Sequence, residues 1–197
     1  MTTHKIWAES VSAGEKTSAR NLPTGDASGA SVWPAPPEVE QTTGMFERAV
    51  DPPDALVTSW FRLEMLAPVH NERDHEAWMS SIEHIRATPG FAPPDCGSDD
   101  WPTPMTLDEN LVDLDKHRDE FLAGDAFAYS VLDRDDVVGC VYIDPDKSRA
   151  SDALVRSWVR ASRADRHHDL AVELDQWLRD AWPIRSRRWP GRSTLGS

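Results

Sequence analysis

Between Leu56 and Leu66 the chain alternates. Val57, Ser59, Phe61, Leu63 and Met65 fall on one side, and Thr58, Trp60, Arg62 and Glu64 on the other, which is the period of a strand. Ala67-Pro68 ends it. From Asn71 the period changes: Trp78, Ile82 and Ile85 stand at i, i+4 and i+7, one face of a helix over Asn71–Ala87. Asn71 is placed to cap that helix and Thr88-Pro89-Gly90 to stop it. Phe91–Pro104, rich in Pro and Asp, reads as a loop. Thr106 then opens the best-signalled helix. Thr106 and Glu109 have the spacing of a capping box, Leu107, Leu111, Leu114 and Phe121 form its apolar stripe, and Gly124 closes it.

Three strands follow. Ala126–Leu132 alternates through Phe127, Tyr129 and Val131. A short polar turn, Asp133–Asp136, returns the chain antiparallel into Val137–Ile143, which is apolar on both faces as a central strand must be. A polar loop leads to the third, Ala153–Val159. Asp165–Trp182 is a helix with Leu170, Leu174, Trp177, Leu178 and Ala181 as its stripe, broken by Pro183. Ile184–Trp189 is a last short strand. The order is β-α-α-β-β-β-α-β, a mixed α/β domain whose sheet is mostly antiparallel.

Residues 1–45 contain 25 Ala, Gly, Pro, Ser or Thr and show neither period. Such a segment buries too little apolar surface to offset its ordering entropy, so it is expected to be a disordered arm, with Trp7 and Trp33 as docking points. The folded domain is expected over 46–192, with 193–197 a flexible tail.

Charge narrows the partners. Lys and Arg number 21 against 34 Asp and Glu, a net −13, which repels phosphate backbones and anionic lipid. Neither nucleic acid nor membrane is expected as a partner. From Arg149 onward ten Arg face six carboxylates, a local +4, leaving −17 on residues 1–148. That basic third suits an anionic small molecule, or pairs with the acidic remainder. Two unspaced cysteines, Cys96 and Cys140, make neither a disulfide framework nor a zinc site. Residues 1–10 lack a signal-peptide core and no run approaches a membrane span, so the cytoplasm is expected.

The element order resembles that of the GNAT acyltransferases, the acetyl-CoA-dependent N-acetyltransferases, over about residues 55–190. Trp60-Phe61-Arg62-Leu63 is similar to the opening strand of many members. Asp136–Ile143 is similar to the family's strand whose central glycine, here Gly139, lets neighbours pack closely. Leu154–Val159 is similar to the strand before the cofactor loop. The resemblance implies that Ala153–Val159 splays from Ile184–Trp189, that backbone groups near Trp158, Val159 and Arg160 pair with the pantetheine arm, and that the following helix end receives the pyrophosphate. It also implies direct acetyl transfer from acetyl-CoA to a primary amine of a small molecule or peptide, without a metal.

Two departures stand out. The family's glycine loop has no glycine here: the matching stretch, Arg160–Leu170, offers the side chains of Arg160, Arg163, Arg166 and His167 instead, or a basic helix start paired with nearby carboxylates. The family's closing helix and hairpin also have no counterpart, and the sheet edge this leaves is one that a second subunit would cover, giving a homodimer. These departures keep a second expectation open, a GNAT-like module that binds a ligand or partner without turnover.

Within the resemblance, Glu83 is the candidate base for the amine and Tyr142 the candidate acid or orienting group. Trp78, Phe91 and Trp101 are candidate walls of the acceptor pocket, with Asp95, Asp99 and Asp100 in the same loop. Each also has an ordinary structural reading, as a helix-surface pair, a core aromatic, a loop anchor or solvated loop carboxylates. His70 with His75, and His167-His168-Asp169, lack the spacing of a zinc motif. No G-x-S-x-G elbow, Walker loop or dinucleotide fingerprint is present.

Overall fold

In the computed structural model, residue 46 and residues 50–91 and 101–192 are described. The expected arm and tail, Cys96, Asp95, Asp99 and Asp100 lie outside them.

Five strands form one sheet in the order β1-β2-β3-β4-β5. Its middle is the antiparallel run that the alternation marks: β2 (Phe127–Asp133), β3 (Asp136–Pro145) and β4 (Ala153–Val159). β2 turns into β3 through Arg134, whose φ of 57° supplies the left-handed residue that so tight a turn needs. Val137, Val138, Cys140, Val141 and Ile143 are all buried, because β3 is covered on both faces. The β2–β3 register shifts at Val131 and Leu132, where β3 accommodates an extra residue. Next to that bulge sits Gly139. A Cβ there would lie 2.2 Å from the Trp158 carbonyl oxygen, so β4 lies where it does only because position 139 has no side chain.

β1 (Arg62–Met65) pairs antiparallel with β2 and is shorter than the expected Leu56–Leu66. The Thr58 hydroxyl accepts from the N–H groups of Trp60 and Phe61 at 3.3 and 3.1 Å and turns the chain, and the Leu63 N–H returns to the Leu56 carbonyl at 2.9 Å. The expected helix Asn71–Ala87 is two helices, α1 (Asn71–Met79) and α2 (Ile82–Arg86). The Ser80 and Ser81 hydroxyls both donate to the Ala77 carbonyl, at 3.0 and 2.8 Å, and interrupt the ladder there. Nor does Asn71 cap α1. A 3-10 turn, Pro68–His70, leads into the helix, and the Asn71 amide donates to the Leu107 carbonyl at 3.1 Å.

α3 (Leu107–Ala123) begins and ends at the predicted residues. Thr106 Oγ1 accepts from the Glu109 N–H at 3.2 Å, Glu109 Oε2 accepts from the Thr106 N–H at 2.7 Å, and Gly124 takes φ 73°. Its expected stripe is only partly buried. Leu114 is in the core and Phe121 packs on Phe127 and Tyr129, while Leu107 and Leu111 face solvent. A 3-10 turn, Ala161–Arg166, precedes α4 (His167–Asp180), whose Leu170, Leu174, Trp177 and Leu178 are buried as predicted; Ala181 is exposed and Trp182 is buried in its place. β5 shrinks from the expected Ile184–Trp189 to Arg187–Arg188.

Two cores result. Residues 153, 155 and 159 of β4 join Phe127, Tyr129 and α4 on one face; Trp158 and Cys140 join Trp78, Ile85, Phe91 and Leu114 from the α1–α3 side on the other. No helix among the described residues is long and apolar enough to cross a membrane.

Candidate active site

β4 is bonded on its two edges to very different extents. Toward β3 it is paired throughout, from Ala153 opposite Pro145 to Val159 opposite Gly139. Toward β5, its parallel neighbour, only Ala153 and Leu154 are paired. Beyond Leu154 no strand among the described residues pairs with that edge of β4, and it is open. The Arg160 N–H donates to the Val138 carbonyl at 2.8 Å, which sets the phase of the alternation: backbone groups at 158 and 160 face β3, and those of Val155, Ser157 and Val159 face the opening. The expected docking groups of Trp158 and Arg160 are therefore already used inside the sheet, and Val159 and Ser157 present the open edge.

One residue reaches across it. His167, in the first turn of α4, places Nε2 3.1 Å from the Ser157 carbonyl, so that nitrogen carries the hydrogen. Arg192 donates to the His167 carbonyl at 3.2 Å. Burial lowers the His167 pKa, and the charges of Arg192 and His84 lower it further.

On the other face the side chains of β3 and β4 floor an aromatic cluster. Cys140 lies opposite Trp158 and Tyr142 opposite Arg156. Trp101 sits at the centre, with ring centroids 6.0 Å from Trp78, 5.7 Å from Phe91, 6.5 Å from Tyr142 and 6.4 Å from Trp158. The three predicted pocket residues, Trp78, Phe91 and Trp101, are thus brought together with Tyr142 and Trp158. Arg156 lies over the rings of Phe91 and Tyr142 and pairs with Asp144 at 2.7 Å. Burial pushes the Tyr142 hydroxyl well above its usual pKa, so it holds its proton at neutral pH. Glu83 is not part of this cluster's aromatic contacts. Its side chain is 88 % exposed and pairs with Arg86 at 3.1 Å.

Behind Trp78 is a polar group that the sequence pattern does not single out. The Trp78 indole N–H donates to Asn110 Oδ1 at 2.9 Å. The Asn110 amide donates in turn to Asp74 Oδ2 at 3.1 Å and to Asn71 Oδ1 at 2.9 Å. Asp74 is buried, and its carboxyl is pushed up to about 6, mainly by desolvation. The trace in the sequence is that Asp74 stands four residues before Trp78, in register with the apolar stripe. A second polar line joins Glu64 Oε2, His70 and the Ser130 hydroxyl at 3.1 and 3.0 Å. It has the order of a hydrolase triad, but Ser130 is wholly buried, and the line fastens the entry to α1 onto β1 and β2.

No family model and no curated protein matches the sequence. Solved structures match in fold. An alpha-N-acetyltransferase of ribosomal protein L7/L12, solved in complex with coenzyme A, superposes with a TM-score of 0.50 at 13% identity, over 63% of this chain and 64% of that one. The chain has the GNAT fold. Two further acetyltransferases match at a TM-score of 0.47. The Salmonella typhimurium enzyme that modifies the N-terminal serine of L7/L12 is 10% identical over 63% of this chain and 67% of that one. The ribosomal-protein-S5-alanine acetyltransferase of Vibrio fischeri is 11% identical over 63% and 66%.

Set against the GNAT glycine loop, the stretch after β4 is filled by the protein's own pairs. Arg160 bonds Glu76 at 2.8 Å, Arg163 pairs with Asp133 at 2.9 Å, and Arg166 pairs with Asp169 at 3.2 Å and lies over Trp60. The Ala161 N–H donates to the Ser81 hydroxyl at 3.1 Å. The basic groups that remain by the GNAT opening are His84, His167 and Arg192; Nε2 of His84 is buried with no hydrogen-bond partner among the described residues. Among those residues no group of three His, Cys, Asp or Glu is placed to hold a metal. His70 and His75 are spent on Ser130 with Glu64 and on the Met105 carbonyl.

Proposed function

We propose that this protein is an acetyl-CoA-dependent N-acetyltransferase that transfers acetyl directly to a primary amine of a peptide or small molecule. The observation that carries this reading is the open edge of β4 from Val155 to Val159, formed by a strand whose other side chains floor the aromatic cluster. The Ser157 carbonyl and the neighbouring backbone groups would receive a pantetheine arm as they would another strand, with the His167 ring giving up its bond to Ser157. Arg192 would supply positive charge, and the His84 and His167 rings hydrogen-bonding nitrogens, toward its phosphates in place of the glycine loop. When bound, the thioester supplies the activated acetyl group. Trp78, Phe91 and Trp101 would bind the apolar part of the acceptor. Tyr142, holding its proton, is the proposed donor to the leaving sulfur. The amine nitrogen bonds the acetyl carbon as the C–S bond breaks, and sulfur leaves as a thiol.

Binding is tested by thermal unfolding with CoA. At 100 times the dissociation constant the folded state gains about 2.7 kcal/mol, and no shift at millimolar CoA would overturn the reading. Thiol release with a panel of amines then tests turnover. The internal pairing of Arg160, Arg163 and Arg166 favours the second reading, a GNAT-fold module that binds without turnover. A CoA shift without thiol release from any amine would select it.

A further inference from the structure

Three carboxylates are buried among the described residues, Asp74, Asp146 and Asp175. Two have counter-charges. Asp146 is bonded by Arg188 at 3.3 Å and by the hydroxyls of Ser148 and Ser151 at 2.7 and 2.8 Å. Asp175 pairs with Arg179 and Arg187. The Asp74 carboxylate is bonded instead by the neutral amide of Asn110. A carboxylate desolvated without a counter-ion is costly, and a side chain needed only to orient Asn110 would do so more cheaply as an amide.

Its place is telling. Asp74 shares Asn110 with the indole of Trp78, the pocket wall one turn further along α1. From across the interface its charge bears on the Cys140 thiol and the Tyr142 hydroxyl of β3, the side chains beneath the aromatic cluster. The titratable groups that face it are His75 on its own helix, Asp113 on α3, and Cys140 and Tyr142 on β3.

We propose that Asp74 is the base that takes the proton from the acceptor's ammonium group. This rests on the N-acetyltransferase reading. An ammonium ion gives one proton to the Asp74 carboxylate, leaving a carboxylic acid and a neutral amine with a free electron pair. That pair forms the N–C bond as the C–S bond breaks; sulfur gains its proton from Tyr142, and the second proton lost by nitrogen restores the Tyr142 hydroxyl. Burial suits this role, because a carboxyl near 6 is ionised at neutral pH and is a stronger base than one in water. Asn110 fixes one oxygen and so orients the carboxylate.

The test is thiol release by the full chain with acetyl-CoA, between pH 5 and 9. The acceptors are a peptide with a free N-terminus, a blocked lysine-containing peptide and a simple alkylamine. The unaltered protein should show kcat/KM rising along a limb centred near pH 6. In Asp74→Asn the rate should fall at least about 100-fold and that limb should vanish, Asp74→Glu should recover part of it, and the CoA-induced thermal shift should persist. Retention of the limb in Asp74→Asn, with Asn110→Ala giving the same uniform loss, would reduce Asp74 to a positioning residue and overturn the assignment alone. If Asp74→Asn does not fold, the profile of the unaltered protein decides, and no ionisation near 6 overturns the assignment. No thiol release by the unaltered protein at any pH overturns the enzyme reading and Asp74's role together.

Discussion

At Gly139 and Asp74 single atoms decide what the surrounding structure can do. A methyl group at 139 has no room before the Trp158 carbonyl. Gly139→Ala should therefore push β4 away and cost about 1–3 kcal/mol in urea unfolding, with a weaker CoA-induced shift because the open edge moves too. Asp74 has the opposite signature. Its folded value is raised from the usual 3.8 to about 6, so the stability of the unaltered protein falls as pH climbs through that window. Asp74→Asn should be more stable than the unaltered protein at pH 7, by on the order of 3 kcal/mol, and no more stable at pH 4. Stability gained with activity lost would mark a site kept for chemistry. The aromatic residues are legible in the sequence because large rings in helix, strand and loop tend to converge in one core. Asp74 is not, because burial of a carboxylate depends on what packs over it. Glu83 is well placed on a continuous helix, but the break at Ser80–Ser81 ends that helix's single face.

Elements are most legible where a side chain bonds its own backbone in a known pattern. The Thr106–Glu109 box and Gly124 bound α3 to the residue, and Thr106→Ala should cost about 1 kcal/mol by chemical denaturation. The same chemistry misleads when it competes with periodicity. Thr58 cuts the first strand short and Ser80 with Ser81 divide a helix, although both segments keep their apolar spacing. Apolar pattern overstates β5 because Ile184 and Trp189 flank it, while Arg187 and Arg188 alone pair with β4 in register. That shortness is what opens the edge of β4, a property of pairing that no period within one segment records.

Across the whole molecule, the excess negative charge and the internal pairing of the arginines after β4 act together. An anionic ligand approaches a net −13 surface with those three guanidinium groups each already paired with a carboxylate. Added salt should then speed CoA association in stopped-flow mixing, up to a few hundred millimolar, by screening the long-range repulsion. A fall in rate with salt would show that the basic groups steer the ligand instead. β4 carries one further implication. Its Arg156 and Trp158 side chains face the aromatic cluster, while the backbone of its odd-numbered residues lines the open edge. One codon inserted between 153 and 159 would exchange the two sets and ruin both surfaces at once. The same insertion among residues 147–151 would leave the β4 phase unchanged and disturb the Ser148 and Ser151 bonds to Asp146, so this gene's tolerance for indels should change at Ala153.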